Sequence, residues 1–266
     1  MRSPRLRVKL ARSIIRMGKF IQSLSIMVMR SDDLIEFSRQ TYSKPKAVES
    51  WSESEIVNSG LNKHEEQLFK DMGSKRGRML LLGIGGGREV IPLAKAGFSI
   101  TGIDFVADMV SNAEKFAAAR GITLRGLVQE ISSLQLESDY YDVIWLSGAM
   151  YSTIPTSKRR IRTLETFSRA LKADGNVICQ FHWDQSASIS GFSLNFRKLF
   201  ALLTLGNLSY ETGDQLWGHA EFVHAFSSKG ELENEFNKGG FKMTGFRLFQ
   251  NWHRGAAILI KASSEA

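Results

Sequence analysis

The sequence predicts a doubly wound α/β fold, in which a mostly parallel sheet carries helices on both faces. After Arg78, short apolar runs alternate with amphipathic stretches, which is the pattern of such a sheet. Glycines follow the amphipathic stretches, as expected where a helix ends in the left-handed conformation. The 266 residues suffice for one domain of this kind with extra elements attached.

Seven strands and four helices follow from these patterns. The strands are expected at 79–83, 99–103, 123–129, 142–146, 176–181, 242–249 and 256–261, and the helices at 89–96, 107–119, 157–171 and 228–238. A short polar stretch separates the last two strands, which predicts an antiparallel hairpin at the sheet edge. Counted along the chain, the expected strand order is 3-2-1-4-5-7-6.

The first 30 residues form a basic arm. They contain eight basic residues and no acid, whereas the other 27 basic residues of the chain balance its 27 acidic ones. Because the rest of the chain carries no net charge, its composition does not require a general basic groove for nucleic acid. An apolar stripe at helical spacing predicts an amphipathic helix, and its members are Leu6, Leu10, Ile14, Met17, Ile21 and Leu24. Four roles stay open for this arm: docking on the domain or on a second subunit of a homodimer, peripheral membrane contact, an organellar presequence, or a substrate lid.

Residues 31–77 are expected to form a helical preface to a domain at 78–266, with a cap insertion at 183–223. Ser31 is the expected cap of the first preface helix, with Asp32 and Asp33 in its first turn. A second preface helix is expected at 61–72.

Cysteine content and hydropathy predict a cytoplasmic protein. The single cysteine, Cys179, lies in an apolar strand, which excludes an internal disulfide. No run of 18 uncharged apolar residues is present, so a membrane-spanning helix is not expected.

The run from Met79 to Glu89 joins a buried strand to a helix through the pattern GxGxG, formed by Gly83, Gly85 and Gly87. Glycines there let the backbone approach a ligand closely. A dinucleotide fingerprint would need glycine where Arg88 stands, and no phosphate-binding GxxxxGK[ST] follows. Asp104 ends the next strand, where its two oxygens can accept both hydroxyls of a ribose.

These segments, together with 128–134, 141–147 and 171–177, resemble the successive motifs of class I S-adenosylmethionine-dependent methyltransferases of the small-molecule type, which are Rossmann-like. The resemblance covers about residues 60–261. It implies that S-adenosyl-L-methionine is the cofactor and that the three glycines surround its methionine and ribose portions. It also implies that Asp104 binds the ribose, that Phe105 and Met109 flank the adenine, and that Glu130 and Ile131 meet the adenine edge, with Ser147 nearby. The sequence departs from the family at Leu81, where an acid is usual.

Several absences narrow the class of methyl acceptor. The segment after the fourth strand lacks the proline motif of nucleic-acid amino-methyltransferases, and Cys179 is not placed as a nucleophile. It also lacks the carboxylate that magnesium-dependent catechol-type enzymes carry there. We therefore expect no metal and a small-molecule acceptor methylated at nitrogen or oxygen. The alternatives are an RNA or tRNA methyltransferase that uses the basic arm, and a non-catalytic cofactor-binding subunit.

Catalytic residues are expected after the fourth strand and in the cap. His224, His182 and His219 are candidate bases, because an imidazole takes a proton near neutral pH. Tyr151 is the candidate after the fourth strand. A structural role for each of these residues stays open.

Overall fold

The computed structural model describes residues 4–73, 76–186, 191–218, 220–249 and 252–262. Its ten helices within this part of the chain are α1 Pro4–Val28, α2 Ser31–Tyr42, α3 Pro45–Ser52, α4 Ser54–Asn58, α5 Lys63–Asp71, α6 Val90–Lys95, α7 Ala107–Ala118, α8 Ser157–Ala170, α9 Gly191–Leu203 and α10 Lys229–Lys238. The nine strands are β1 Gly77–Leu82, β2 Phe98–Asp104, β3 Leu124–Val128, β4 Tyr141–Leu146, β5 Leu171–Trp183, β6 Asp214–Trp217, β7 Glu221–Phe226, β8 Phe241–Phe249 and β9 Arg254–Lys261.

The sheet confirms the order predicted for the seven expected strands. Strands β3, β2, β1, β4 and β5 run parallel in that order, β9 pairs antiparallel with β5, and β8 forms the edge. Strands β9 and β8 are the last two expected strands, which form the predicted hairpin. The right-handed crossovers of such a sheet place its helices on two faces.

Each face of the sheet carries its own apolar core. Alternate residues of β4 point to opposite cores. Ile144 and Leu146 belong to the core under α8 and α10. Val143 and Trp145 belong to the core under α5, α6 and α7. This alternation is what a strand buried on both faces requires.

The expected cap contains α9 and β6, and its last residues belong to β7. Strand β6 pairs antiparallel with β7, and β7 pairs in parallel with the end of β5, His182 with Ala225 and Trp183 with Phe226. Because β5 extends to Trp183, beyond the expected end at residue 181, the hairpin β6–β7 continues the main sheet. The sequence did not predict these two short strands.

The N-terminal region is helical where the structure describes it, and one predicted helix cap is wrong. Arg30, and not Ser31, is the cap position of α2, because the Asp33 carboxylate accepts a hydrogen bond from the Arg30 backbone N–H at 2.8 Å. In α5, Asn62 caps the helix by accepting from the backbone N–H groups of His64 and Glu65. Within the described ranges, each helix is too short or too polar to cross a membrane.

Candidate functional site

The glycine-rich turn lies between β1 and α6, at the carboxyl end of the sheet. Gly83 and Ile84 donate backbone hydrogen bonds to the carbonyl of Ile103, which ties the turn to the end of β2. Gly83, Gly85 and Gly87 all have positive φ values, of 75°, 47° and 93°. This backbone conformation is costly for residues with a Cβ, so the turn requires glycine at these positions.

Asp104 lies beside the turn, as predicted. Its Oδ2 accepts a hydrogen bond from Gly85 N at 3.0 Å and its Oδ1 accepts one from Val106 N at 3.0 Å. Burial raises the pKa of Asp104, and these backbone hydrogen bonds oppose that rise. The acid is thus held in one orientation beside the glycine turn, and that turn follows β1, where the strand order reverses and open α/β sheets bind ligands.

A cavity of about 360 Å³ opens at this edge of the sheet. Eight of the nine predicted cofactor residues line it, and they are Gly83, Gly85, Asp104, Phe105, Met109, Glu130, Ile131 and Ser147. Gly87 does not line the cavity. It lies against α7 instead, where an added Cβ would be 3.1 Å from the Cβ of Ala113. The third glycine therefore permits close packing of the turn against α7 and does not form the cavity wall.

Glu130 lines the cavity, but its carboxylate is already engaged. It accepts hydrogen bonds from the backbone N–H of Ser132 at 2.8 Å and from the Ser132 hydroxyl at 2.7 Å. The side chain therefore caps the short 3₁₀ turn at Ile131–Ser133.

An acid is usual in the family at the position of Leu81. In this chain Glu89, on the other side of the turn, provides an acid near it instead. Glu89 is 3 % exposed, lines the cavity and accepts a 2.5 Å hydrogen bond from the Ser147 hydroxyl. Burial raises the pKa of Glu89, whereas the charge of Arg88 lowers it. Arg88 also bonds both oxygens of Glu65 at 2.7 Å, so this cluster ties α5 to the turn.

The chain turns sharply after β4, directly beside Ser147. Gly148 and Ala149 both adopt left-handed backbone conformations, with φ values of 54° and 72°. Ala149 is fully buried, so the surrounding packing holds a conformation that alanine resists. This turn places Ser147, Gly148 and Met150 on the cavity wall.

Six ring-bearing side chains also line the cavity, and we call this set the aromatic half of the site. Its rings come from the N-terminal helices, from β6 and from the β8–β9 hairpin, and they are Tyr42, Trp51, His64, Trp217, Phe249 and Trp252. Helix α2 is fixed on β7 by a buried 3.1 Å hydrogen bond from Phe222 N to the Ser38 hydroxyl oxygen. The helical preface thus forms one wall of the site.

Glu221 and Arg254 also line the cavity, and the sequence patterns predicted neither residue. Burial raises the pKa of Glu221, and the opposing effects of the Tyr42 hydroxyl and the Arg254 charge are smaller. Burial and the Glu221 carboxylate in turn raise the pKa of Tyr42. A buried carboxylate with a raised pKa is a suitable proton acceptor near neutral pH.

Of the four predicted catalytic candidates, the three that the structure describes do not line the cavity. His224 is 1 % exposed, its Nδ1 lies 2.8 Å from Asp214 Oδ1, and its Nε2 lies 3.1 Å from Glu231 Oε1. Tyr151 is fully buried and donates a 2.7 Å hydrogen bond to Glu235 Oε2. Because both groups are enclosed and bonded within the protein, they are structural in this arrangement.

His182 is also enclosed, and its ring packs on Trp217 with centroids 4.8 Å apart. Burial, with a smaller effect of the Arg254 charge, lowers its pKa to about 4, so the imidazole is neutral at pH 7. His219 lies outside the described residues.

Glu211, Asp214 and His224 are the described side chains grouped closely enough to resemble a metal site, since one ligand atom of each lies within 4.8 Å of the others. Arg160 already occupies this neighbourhood, because its guanidinium bonds Glu211 at 2.8 Å and Glu235 at 2.7 Å. The cluster is therefore neutralised by an arginine of α8.

A glycine-rich turn that is followed one strand later by a fixed acid, at the switch point of an open sheet, defines a Rossmann-like domain for a ribose-containing ligand. Residues 79–175 match the family model described as a methyltransferase domain. This match, the partial match to a curated relative and the folds of solved structures support the class I S-adenosylmethionine-dependent methyltransferase superfamily, and they imply S-adenosylmethionine as the cofactor.

Known proteins extend this comparison. The chain is 31% identical over 108 residues to a protein of Geobacillus sp. (strain WCH70) that is provisionally named a methyltransferase, and the match covers 40% of this chain and 42% of that protein. The chain thus spans less than half the length of this relative. The fold resembles that of a SAM-dependent methyltransferase from Methanosarcina mazei, with 21% identity, a TM-score of 0.57, and coverage of 76% and 98% of the two chains. The CcbJ methyltransferase of Streptomyces caelestis gives 15% identity, a TM-score of 0.56, and coverage of 74% and 88%.

The residues present fit this cofactor. An added Cβ at Gly85 would meet no atom within 4 Å, so the glycine backbone borders free space where a ligand can approach it. Asp104 and Glu89 supply acceptors beside that space, and Phe105 and Met109 supply apolar surface.

Proposed function

We propose that this chain transfers the methyl group of S-adenosylmethionine to a nitrogen or oxygen of a small acceptor molecule. The observation that carries the proposal is that one cavity is lined both by the predicted cofactor residues and by a set of aromatic side chains with the partly buried carboxylate of Glu221. A volume of about 360 Å³ lies within the range of small-molecule sites.

The cofactor half would hold S-adenosylmethionine through its backbone and Asp104. Asp104 would accept the ribose hydroxyls, and Phe105 and Met109 would flank the adenine. When bound, the cofactor supplies an electrophilic methyl carbon on a sulfonium, so the protein mainly provides position and a dry surface.

The aromatic half would bind the acceptor and take its proton. Trp51, Trp217 and Trp252 offer flat apolar surfaces, which suit a small planar molecule. Glu221 is the candidate proton acceptor in place of the histidines, and Tyr42 would orient its carboxylate. Arg254 lies close enough to lower the pKa values of both Glu221 and His182, so it also suits an anionic group on the acceptor.

Calorimetric titration with S-adenosylmethionine tests the cofactor assignment. We expect saturable binding of S-adenosylmethionine and S-adenosylhomocysteine and none of NAD. Asp104→Asn should weaken the affinity about tenfold or more, because a charge-assisted hydrogen bond contributes about 1.5–3 kcal/mol. Asp108→Asn is the matched control, since Asp108 is exposed in the first turn of α7. Binding of NAD without S-adenosylmethionine would overturn the proposal.

Formation of S-adenosylhomocysteine with a panel of small aromatic alcohols, amines and acids tests catalysis. For an acceptor found in this way, Glu221→Gln should lower kcat about 100-fold and leave cofactor affinity unchanged, because a positioned base contributes about 10²–10⁴-fold. Unchanged turnover would contradict the role of Glu221. Cofactor binding without product over a broad panel would instead favour a non-catalytic subunit.

A further inference from the structure

Helices α1 and α9 together present an exposed apolar surface, which we call the arm surface. On α1 its exposed members are Leu6, Leu10, Ile14, Met17 and Ile21, and on α9 they are Phe196, Leu199, Leu202 and Leu203. The two helices meet where the rings of Phe20 and Phe196 lie 6.1 Å apart. The surface continues into Leu205 and Leu208, which are 71% and 59% exposed.

The predicted stripe of α1 is not used for packing within the described chain, except at its end. Its first five members are 55–62% exposed. Only the last turns of α1 join a core, through Ile26 and Met27, which pack with Tyr210 and Phe222. Arg197 fixes the same end by donating a 2.8 Å hydrogen bond to the Ser23 hydroxyl. The apolar stripe therefore projects from the domain with one end anchored.

The charge of α1 has a single sign. Its basic residues are Arg5, Arg7, Lys9, Arg12, Arg16 and Lys19, and the helix contains no acid. At about 100° per residue, most of these side chains lie to one side of the apolar stripe. Exposed apolar residues flanked by basic ones on a helix too polar to cross a bilayer are typical of helices that lie in a membrane surface.

We propose that the arm surface docks the protein on an anionic lipid membrane. The lipid acyl region would cover the exposed leucines and isoleucines, while the basic side chains meet anionic headgroups. A second copy fits less well, because two α1 helices would bring like charges together. RNA would neutralise the basic residues and leave the apolar stripe exposed to water.

Vesicle co-sedimentation of the full chain tests the proposal. We expect pelleting with vesicles of phosphatidylcholine and phosphatidylglycerol, weaker pelleting with phosphatidylcholine alone, and a decrease as salt is raised. Arg12→Glu with Arg16→Glu should weaken partitioning about 30-fold or more, because each basic residue near such a surface contributes about fivefold. Leu10→Ser with Ile14→Ser should weaken it as well, since these side chains would enter the lipid.

Lys115→Glu with Lys238→Glu is the control of equal charge change, because both lysines are exposed on other helices. This variant should keep nearly full vesicle binding. The thermal unfolding midpoint of every variant should match the unaltered protein, which separates lost docking from lost folding. No pelleting of the unaltered protein, or equal losses in control and arm variants, would overturn the proposal. If the protein forms a stable dimer that Leu10→Ser with Ile14→Ser breaks, the arm surface binds a second copy instead. If it binds an RNA probe in a salt-dependent way and does not bind vesicles, the arm surface binds RNA instead.

Discussion

At the scale of single residues, burial decides which titratable groups can act on a ligand. His224, Tyr151 and Glu235 are enclosed by the protein. Tyr151 donates a hydrogen bond to Glu235 on α10, and the His224 ring is hydrogen-bonded with Asp214 on β6. Glu89 and Glu221 are also largely buried, yet both line the cavity. Histidines are natural candidates in a sequence because the ordinary imidazole pKa is near neutral, whereas the pKa values of Glu89 and Glu221 are raised by burial, which only folding produces.

His224 should make stability depend on pH. Burial lowers its pKa, but the hydrogen bonds with Asp214 and Glu231 outweigh this effect and raise it. A raised folded-state pKa stabilises fully below the unfolded value of about 6.5, and this contribution is lost as pH rises through the folded value. Urea unfolding at several pH values between about 6 and 9 should therefore show a decline that is reduced in His224→Gln.

His253→Asn is the control for this measurement, because His253 is exposed and has a positive φ of 48°, which asparagine tolerates. This variant should keep the pH dependence of the unaltered protein. An undiminished decline in His224→Gln would assign the effect to other groups.

We expect Glu89 to contribute to the affinity for the amino acid part of the cofactor and not to the affinity for its nucleoside part. We expect Glu89→Gln to weaken binding of S-adenosylmethionine about tenfold, because the amine loses a charged acceptor. Affinity for 5′-deoxy-5′-methylthioadenosine, which lacks that amine, should stay within about twofold. Titration calorimetry measures both, and Glu66→Gln on the exposed face of α5 is the control. Equal losses for both ligands would show that Glu89 only maintains the turn.

At the scale of elements, α10 is attached to α8 by a buried ion pair. Arg160 and Glu235 are 1% and 2% exposed, and the guanidinium Nε and one terminal nitrogen both bond the carboxylate. Tyr151 bonds the same carboxylate from the turn after β4. One acid thus connects three elements around the core.

Glu235→Gln should lower the free energy of unfolding by about 3–5 kcal/mol, because it removes the buried partner of the Arg160 charge and leaves only the partly exposed Glu211. Glu233→Gln removes an exposed pair with Lys229 on the same helix and should cost less than about 1 kcal/mol. Urea unfolding of the two variants provides the comparison. Similar losses in both would show that Arg160 is compensated by Glu211.

At the scale of the whole molecule, the projecting part of α1 should be dispensable for folding and cofactor binding. The exposed stripe makes no core contacts before the last turns of the helix, and no residue of α1 lines the cavity. Deleting residues 4–19 should leave the S-adenosylmethionine affinity within about twofold and the unfolding midpoint nearly unchanged. Calorimetry and thermal unfolding test this, and a large loss of affinity would show that the arm supports the preface wall.

Local patterns predicted most of the fold. The strands of the sheet are apolar runs, glycines follow several of the helices, and the turn with Asp104 lies within one βαβ unit, so these features are visible in contiguous sequence. Strands β6 and β7 were missed because β6 has only four residues and begins with Asp214 and Gln215. The pairing of β7 with β5 depends on the length of β5, which the pattern of that strand alone does not define.

The residues assigned to the cofactor could be predicted from the sequence for the same reason. The residues assigned to the acceptor could not. Glu221 reaches the cavity only because α2 packs on β7, and the two elements are far apart in sequence. Residue type indicated histidines as bases, but the enclosure of His224 by Asp214 and Glu231 depends on tertiary contacts.

The pairing of β7 with the extended end of β5 joins the Glu221 side of the cavity to the main sheet. Trp217 and Glu221, which the proposed function assigns to the acceptor, therefore lie on strands of the sheet that also carries the turn and Asp104. On that proposal, side chains of β6 and β7 could change over evolutionary time, and with them the choice of acceptor, without altering the residues that hold the cofactor. Libraries confined to this hairpin would test whether the proposed methyl transfer can be redirected toward new acceptors.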